Sequence, residues 1–180
     1  VNSGSDWIGV WEAACVTGEE AYSVAILFKE YLTQNHLNNE VKIFATDVDK
    51  RSLEFASAGF YNSSIIADLS MERLSRYFTP AGDSFRITDD IREMIVFASH
   101  NLIKDPPFNK IDFLSCRNFL IYLQAPLQQK VLSLFNFALG KNGVLFLGSS
   151  ESIGEMEHYF ETIHIKWKIF KAKSTGKLPN

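Results

Sequence analysis

The chain has 180 residues, of which 46% are hydrophobic and 13% aromatic. This composition supports one packed domain and excludes a disordered segment. A net charge of -3 argues against a nucleic-acid partner, which would require a basic face. No apolar run reaches the ~20 residues that cross a bilayer, and the first residues lack a signal-peptide pattern, so we expect a cytoplasmic protein without membrane insertion. Cys15 and Cys116 are too few for a disulfide framework and are predicted to be buried free thiols.

Apolar, β-branched runs alternate with segments of helical period along most of the chain. This pattern favours an α/β fold of the Rossmann-like class, a parallel sheet with helices on both faces. Helices are predicted from about Glu19, before a stop at Gly59, and after the third strand. Alternation of apolar and polar residues over 162–171 predicts an antiparallel edge strand. The predicted parallel strands are 8–13, 41–46, 111–115 and 144–148.

The segment 61–102 interrupts this rhythm and is predicted to form a small antiparallel β-subdomain inserted in the main fold. Its hairpin turn lies at 80–83, a Pro-Ala-Gly-Asp stretch. A domain over 6–172 is predicted, with 1–5 and 173–180 as linker or tail. Within the insert, a short helix is predicted around 71–76, followed by strands at 76–79, 84–88 and 95–99.

Acidic residues follow the first two predicted strands. In an open α/β sheet ligands bind outside the carboxyl ends of the strands. Glu19 and Glu20, beside the turn at Gly18, disfavour a dinucleotide phosphate and favour a cationic ammonium or sulfonium. Asp47 ends the second strand, where a carboxylate can accept hydrogen bonds from ribose hydroxyls. The alternative for Glu20 and Asp47 is acidity that stabilises the start of a helix.

Two asparagines also follow predicted strands. The side-chain amides of Asn101 and Asn118 can read an adenine edge or a cofactor amide, since an amide both donates and accepts. For a lone asparagine, capping of a turn or helix is the favoured alternative. None of the four histidines has the spacing of metal ligands, so no metal site is predicted.

These polar positions lie within an ordered set of motifs that extends from about Trp11 to Phe170. Together, in this order, the motifs resemble the CheR family of chemotaxis receptor methyltransferases. The matching segments are VWEAACVTGEEAYS (10–23), FATDVD (44–49), AGFY (58–61), RYF (76–78), HNL (100–102), DFLSCRNFLIY (112–122) and LFLGSSE (145–151).

The resemblance implies a class I S-adenosylmethionine-dependent methyltransferase fold, with S-adenosylmethionine as cofactor and S-adenosylhomocysteine as product. It places Tyr122 near the transferred methyl group as the catalytic candidate. The alternative for Tyr122 is an aromatic residue at the start of a helix with no role in catalysis. The implied cofactor contacts are Glu20 and Asp47 for the amino-acid and ribose parts, Asn101 and Leu102 for the adenine, and Arg117 and Asn118 for the rest of the pocket.

The implied function is methylation of glutamate side chains on the cytoplasmic domains of methyl-accepting chemoreceptors. The attacking carboxylate is ionised at neutral pH, so no general base is required. The chain departs from the family pattern at Ala21, which replaces a helix-start proline, and in the short turn at 80–83. The family's helical domain and Arg-bearing segment before the first strand have no match in this sequence.

The missing Arg-bearing segment favours an alternative function. The chain would then be a catalytically incomplete module that binds S-adenosylmethionine or S-adenosylhomocysteine, or a scaffold, among fused domains of a multidomain signalling protein. A nicotinamide-dependent oxidoreductase shares the fold class, but the G-x-G-x-x-G fingerprint is absent after the first strand.

Overall fold

A computed structural model of the chain describes residues 7–173. The strands are β1 (Trp7–Ala13), β2 (Glu40–Asp47), β3 (Phe60–Asn62), β4 (Phe78–Ala81), β5 (Ser84–Ile87), β6 (Ile95–Ser99), β7 (Phe113–Cys116), β8 (Val144–Leu147), β9 (Phe160–His164) and β10 (Ile169–Ala172). The α-helices are α1 (Glu19–Gln34), α2 (Lys50–Ala58), α3 (Met71–Tyr77), α4 (Asp89–Arg92) and α5 (Ala125–Leu139).

Seven strands form the main sheet, in the spatial order β6-β2-β1-β7-β8-β10-β9. The first five of these are parallel, and β10 is antiparallel to both β8 and β9. The chain builds outward from β1 through β2 to β6 and then returns to β7 on the other side of β1. The carboxyl ends of β1 and β7 therefore flank the point where strand order reverses, which is where α/β folds bind ligands.

The core lies on both faces of this sheet, as expected for buried parallel strands. Val10 of β1 joins the cluster under α1, whereas Trp11 and Ala13 join the cluster under α5. All three side chains are at most 1% exposed. Alternate residues of β1 thus anchor two separate helical layers, and this fixes the strand's carboxyl end between them.

Glycine and aspartate set the helix ends nearest to the ligand-binding edge. Gly18 precedes α1 with φ +87°, and an added Cβ would lie 2.7 Å from the Cβ of Ala56 in α2. The Asp49 carboxylate caps α2 by accepting a hydrogen bond from the backbone N–H of Arg51. Gly59 ends α2 with φ +68°, which confirms the predicted stop.

The prediction of an antiparallel insert over 61–102 is wrong at the carboxyl-terminal end of that segment. Strands β3, β5 and β4 form a separate antiparallel sheet, but β6 pairs in parallel with β2 of the main sheet, with Ile43 opposite Ile95. Strand β6 lies at the edge of the sheet, and Val96 is 54% exposed. A short, mostly apolar run such as IVFAS fits a parallel or an antiparallel strand equally well, so local pattern alone cannot identify the partner strand. Helix α3 also extends through Tyr77, where a strand was predicted.

The predicted single edge strand at 162–171 is a hairpin. Strands β9 and β10 are antiparallel and are joined by a turn over 165–168, which carries the exposed side chains of Ile165 and Trp167. Lys168 has φ +54° and completes the turn. Apolar and polar residues continue to alternate through this turn, which is why the pattern concealed it. Lys173 apart, the predicted terminal segments 1–5 and 173–180 lie outside the described residues.

Candidate functional site

A cleft of about 750 Å³ opens at the carboxyl ends of β1, β2, β6 and β7. This volume falls within the ~300–1,000 Å³ typical of small-molecule sites. All of the residues predicted from the sequence as cofactor-binding or catalytic line this one cleft, although they come from separate segments of the chain. They are Glu20, Asp47, Asn101, Leu102, Arg117, Asn118 and Tyr122.

The turn between β1 and α1 forms one wall of the cleft in a strained conformation. Ala14 has φ +59° and Val16 has φ +48°. A left-handed conformation costs ~1–2 kcal/mol for an ordinary residue and is least suited to a β-branched one. Hydrogen bonds from the backbone N–H of Cys15 to the Thr46 carbonyl and from that of Val16 to the Asp47 carboxylate hold the turn.

Asp47 links the turn after β1 to the end of β2. Its Oδ2 accepts the Val16 N–H and its Oδ1 accepts the Asp49 N–H, each at 3.0 Å. An ionised carboxylate has about four acceptor positions, so this side chain can still accept hydrogen bonds from a ligand. Asp47 therefore combines a position suited to a ribose with a structural role that the sequence did not indicate.

Glu20 lies in the first turn of α1 and faces the loop after β7. Its Oε1 accepts hydrogen bonds from Ser115 Oγ at 2.9 Å and from Arg117 Nη1 at 3.3 Å. The Arg117 guanidinium lies 4.9 Å from the centre of the Phe146 ring, a cation–π contact that fixes its plane. The ion pair is about one-third exposed, so it contributes orientation more than stability.

Glu12 lies behind Glu20 and was not predicted as a site residue. Its side chain is 1% exposed, and Oε2 has no hydrogen-bond partner within the described residues. Burial and the nearby Glu20 charge raise the Glu12 pKa well above its usual value, against the lowering effects of a hydrogen bond with Ser115 and the Arg117 charge. The available signal was a lone glutamate within the apolar run of β1.

Asn101 shows the capping arrangement that the sequence left as an alternative. Its Oδ1 accepts the backbone N–H groups of Ile103 and Lys104, and its own N–H donates to Asp105. The preceding His100 also lines the cleft and was not predicted as a site residue. The His100 ring packs edge-on against Trp11, with 5.3 Å between the ring centres.

Glu151 fixes the loop that follows β7. This carboxylate is only 4% exposed and accepts four backbone hydrogen bonds. Oε2 accepts the N–H groups of Gly148 at 2.7 Å and Asn118 at 3.1 Å, and Oε1 accepts those of Phe119 at 2.9 Å and Leu120 at 2.7 Å. Asn118 has φ +59°, and the Glu151 contact stabilises this uncommon conformation. The loop is thereby held in one position beside the cleft.

Tyr122 and Cys15 occupy contrasting places in the cleft. Tyr122 is 79% exposed and lies at the rim, at the end of a short 3-10 turn over Leu120–Tyr122. Cys15 is 5% exposed. Burial, with the nearby carboxylates of Asp47 and Glu12, raises the pKa of its thiol to about 12. Cys15 and Cys116 are both free and buried, which confirms the prediction for them.

Within residues 7–173, no group of three or more His, Cys, Asp or Glu side chains is arranged to hold a metal ion. The same part of the chain contains no helix with the length and apolar character needed to span a bilayer.

Comparison with protein families identifies the chain. The family described as the CheR methyltransferase, SAM binding domain, matches residues 1–169. This chain belongs to the CheR family. The CheR assignment agrees with the ordered motifs, and it makes the cleft at the carboxyl ends of the strands the candidate S-adenosylmethionine site.

Several curated relatives of this CheR domain are longer proteins. A chemotaxis protein methyltransferase of Borreliella burgdorferi is 34% identical over 85% of this chain and 55% of its own length. Chemotaxis protein methyltransferase 1 of Pseudomonas aeruginosa is 32% identical, over 95% of this chain and 65% of its own length. An uncharacterized 104.1 kDa protein of Rhodobacter capsulatus is 41% identical, over 94% of this chain but only 18% of its own length. The chain thus spans less than two-thirds of each.

Solved structures share the fold of this CheR domain. A TehB-like SAM-dependent methyltransferase from Corynebacterium glutamicum superposes with a TM-score of 0.52 and 11% identity, over 92% of this chain and 78% of that one. A putative O-methyltransferase from Nostoc punctiforme gives 0.51 and 14% identity, over 81% of this chain and 33% of that one. The chain therefore has the Rossmann-like SAM-dependent methyltransferase fold predicted from its sequence.

Proposed function

We propose that this chain binds S-adenosylmethionine in the cleft and that its complete protein transfers the methyl group to glutamate carboxylates of chemoreceptors. The observation that carries the proposal is the convergence of every predicted site residue on one cleft at the topological switch point. The family description, which names a SAM binding domain, supports S-adenosylmethionine as the cofactor.

The charges and surfaces of the cleft suit this cofactor. Glu20 and Asp47 give an acidic environment for a ligand that carries an ammonium and a sulfonium and has no phosphate. Asp47 retains acceptor capacity for ribose hydroxyls beyond its two backbone contacts. Leu102 and Ile103 offer an apolar wall for the adenine, with the backbone at Asn101 rigidly capped beside them.

The cofactor supplies an electrophilic methyl group bound to a sulfonium. The proposed nucleophile is the carboxylate of a receptor glutamate, which is ionised at neutral pH and needs no general base. The protein's contribution is to position the two reactants and exclude water. Tyr122, which is exposed at the rim of the cleft, is the proposed contact for the incoming glutamate.

The proposed partners are the cytoplasmic domains of methyl-accepting chemoreceptors, and we accordingly propose a cytoplasmic location. Two relatives with "chemotaxis protein methyltransferase" in their names support this choice.

A second candidate function is a binding or scaffold module among fused signalling domains. It is favoured by the 104.1 kDa relative, of which this chain spans only 18%. Incubation of the full-length protein with receptor fragments and methyl-labelled cofactor separates the two functions. Base-labile methyl esters support the transferase, whereas cofactor binding without ester formation supports the module.

Calorimetric titration with S-adenosylhomocysteine tests cofactor binding. The unmodified chain is expected to bind saturably, and Asp47→Ala is expected to bind about tenfold more weakly or worse, since it removes a charged acceptor and releases Val16. Asp83→Ala is the matched control, because Asp83 is exposed in the hairpin turn of the small sheet. Absence of saturable binding by the unmodified chain, or equal affinities for all three proteins, would refute this site.

A further inference from the structure

The turn between β9 and β10 carries a group of exposed apolar side chains. We call residues 163–168 the hairpin tip. The side chains of Ile163, Ile165 and Trp167 in it are each more than half exposed. The buried side chains of Phe160 and Phe170 anchor the two strands in the core below the tip. Single exposed apolar side chains are common on protein surfaces, but a contiguous group of them indicates an interaction site.

The hairpin tip is also basic. Residues 162–173 contain four lysines and no acidic residue, although the chain as a whole has a net charge of -3. Lys166 Nζ lies 5.0 Å from the centre of the Trp167 ring, so a positive charge and an aromatic surface are presented together. The backbone N–H of Trp167 donates to His164 Nδ1 at 3.3 Å and holds the turn. Such a surface is complementary to a partner that combines apolar and acidic side chains.

The hairpin tip lies at the same edge of the main sheet as the cleft. Strand β10 is antiparallel to β8, and Ile169 at its start pairs with Phe146 near the carboxyl end of β8. The backbone N–H of Leu147 donates to the Lys168 carbonyl at 3.0 Å, so the tip directly adjoins the end of β8. In the order of the sheet the tip lies beyond β7 and β8, on the side of the cleft away from β2 and β6.

The spacing of the strands sets the reach that a partner needs. Two strand intervals separate β7 from β10, which is about 10 Å at about 4.8 Å for each interval. An α-helix rises ~1.5 Å per residue, so about seven residues of a helix cover this distance.

A helix also suits the backbone of this edge. The N–H groups of Gly148, Asn118, Phe119 and Leu120 all donate to Glu151, so these four groups are not free to pair with an extended partner. A helix satisfies most of its own backbone groups and needs only side-chain contacts.

We propose that the hairpin tip docks the receptor segment that carries the reactive glutamate, and that this segment is an acidic amphipathic helix. Its apolar side chains contact Ile165 and Trp167, and its acidic side chains pair with Lys166 and Lys168. The inference rests on the proposed function, because the partner is the substrate of that function. The tip holds the helix across the carboxyl edge of the sheet, with the glutamate about seven residues away from the docking contacts.

The test is the rate of methyl-ester formation by the full-length protein as the concentration of a soluble receptor fragment is varied. Trp167→Ala is expected to raise the KM for the fragment about tenfold, as for loss of an aromatic anchor of an interface. The value of kcat and the affinity for S-adenosylhomocysteine are expected to change little, because the tip lies outside the cleft. Val96→Ala, at an exposed position on the opposite edge strand β6, is the matched control.

Lys166→Glu tests the charge of the same surface and keeps the aromatic side chain in place. It is also expected to raise the KM, and added salt is expected to weaken the unmodified protein more than this variant. Lys141→Glu makes the same charge change at an exposed position between α5 and β8, at the other edge of the sheet, and is expected to leave the KM unchanged. Urea unfolding of each variant checks that it folds.

Alanine substitutions along the receptor fragment test the position of the docking contacts. The largest rise in KM with the unmodified protein is expected about seven residues from the reactive glutamate. The same substitution is expected to have little further effect on Trp167→Ala, because the two changes remove one contact.

Unchanged KM values for both Trp167→Ala and Lys166→Glu would overturn the inference and leave the proposed function intact. Absence of ester formation by the unmodified full-length protein would reject the proposed function, and the docking role with it. An anionic membrane surface is the competing partner for a basic, aromatic tip. Co-sedimentation with vesicles of phosphatidylglycerol and phosphatidylcholine that both variants abolish, with the KM for the fragment unchanged, would assign the tip to lipid and overturn the inference.

Discussion

Glu151 Oε2 lies 2.7 Å from the backbone nitrogen of Gly148, and the same carboxylate binds three further N–H groups in the loop that carries Arg117 and Asn118. A buried acid thus connects the end of β8 to a loop that lines the candidate cofactor site and begins more than 30 positions earlier in the chain.

Replacement of Glu151 by alanine is expected to release this loop. Four buried donors lose their acceptor, at ~1–3 kcal/mol for each one left unsatisfied, so we expect the free energy of unfolding to fall by about 3 kcal/mol or more. Urea unfolding measures this change, and calorimetry measures the accompanying loss of S-adenosylhomocysteine affinity. Glu157→Ala, at an exposed position nearby, is the control. Equal stability of the two variants would show that the carboxylate is dispensable for the loop.

Gly148→Ala is expected to disturb the same connection by steric conflict. The added Cβ would lie 2.7 Å from both Asn118 Oδ1 and Glu151 Oε2, closer than such atoms approach. The expected destabilisation is about 1–3 kcal/mol, as for overpacking of a closed site. Gly154→Ala separates steric from backbone effects. Gly154 has φ +53°, so alanine strains the backbone there, but nothing lies within 4 Å of the added Cβ. If cofactor affinity falls equally in both variants, the steric explanation is wrong.

The two thiols are expected to be nearly unreactive in the folded protein. Burial is the main cause of the raised pKa of both, and Asp47 adds to it at Cys15 and Glu151 at Cys116. Only the thiolate reacts rapidly with Ellman's reagent. At about pH 8 the reagent is therefore expected to modify both thiols quickly in urea, and to modify both much more slowly in the folded protein. The Cys15→Ser variant retains only Cys116, so its rate of modification shows which of the two thiols reacts more slowly. A rapid burst of one equivalent from the native chain would contradict the raised pKa at Cys15.

Tyr122→Phe is expected to separate methyl transfer from folding. The side chain is 79% exposed, so removal of its hydroxyl should change the free energy of unfolding by less than about 0.5 kcal/mol. If Tyr122 contacts the reacting groups, methyl-ester formation by the full-length protein should fall about tenfold or more while S-adenosylhomocysteine affinity changes little. The control is Tyr159→Phe, at an exposed position near β9. Unchanged transfer would remove Tyr122 from the catalytic site.

Residues that end parallel strands were predictable because topology alone brings them together. Asp47 is the last residue of β2 and Glu20 follows the turn after β1, so the rule for open sheets located both before any contact was known. The placement of β6 was not predictable in this way. Its five residues fit an antiparallel insert as well as a parallel edge strand, and only the pairing with β2 decides between them.

The residues that hold the site in place escaped prediction for a different reason. Ser115 contacts Glu20 across 95 positions of sequence, and Glu151 contacts Phe119 across 32. No local pattern encodes such contacts. Asn101 illustrates the converse, since its capping role is local and was one of the alternatives that its position suggested.

Trp11 donates from its indole nitrogen to Thr46 in the core, and its ring contacts His100, which lines the cleft. Trp11 is therefore an intrinsic fluorophore that is separated from the proposed adenine position by one side chain, that of His100. Filling of the cleft would alter the packing of His100 and hence the emission of a tryptophan shielded from water. Trp167, 58% exposed on the far hairpin, would emit at longer wavelength as an internal reference. Ligand binding is therefore expected to change the emission of Trp11 against the background of the other two tryptophans, Trp7 and Trp167, without a label.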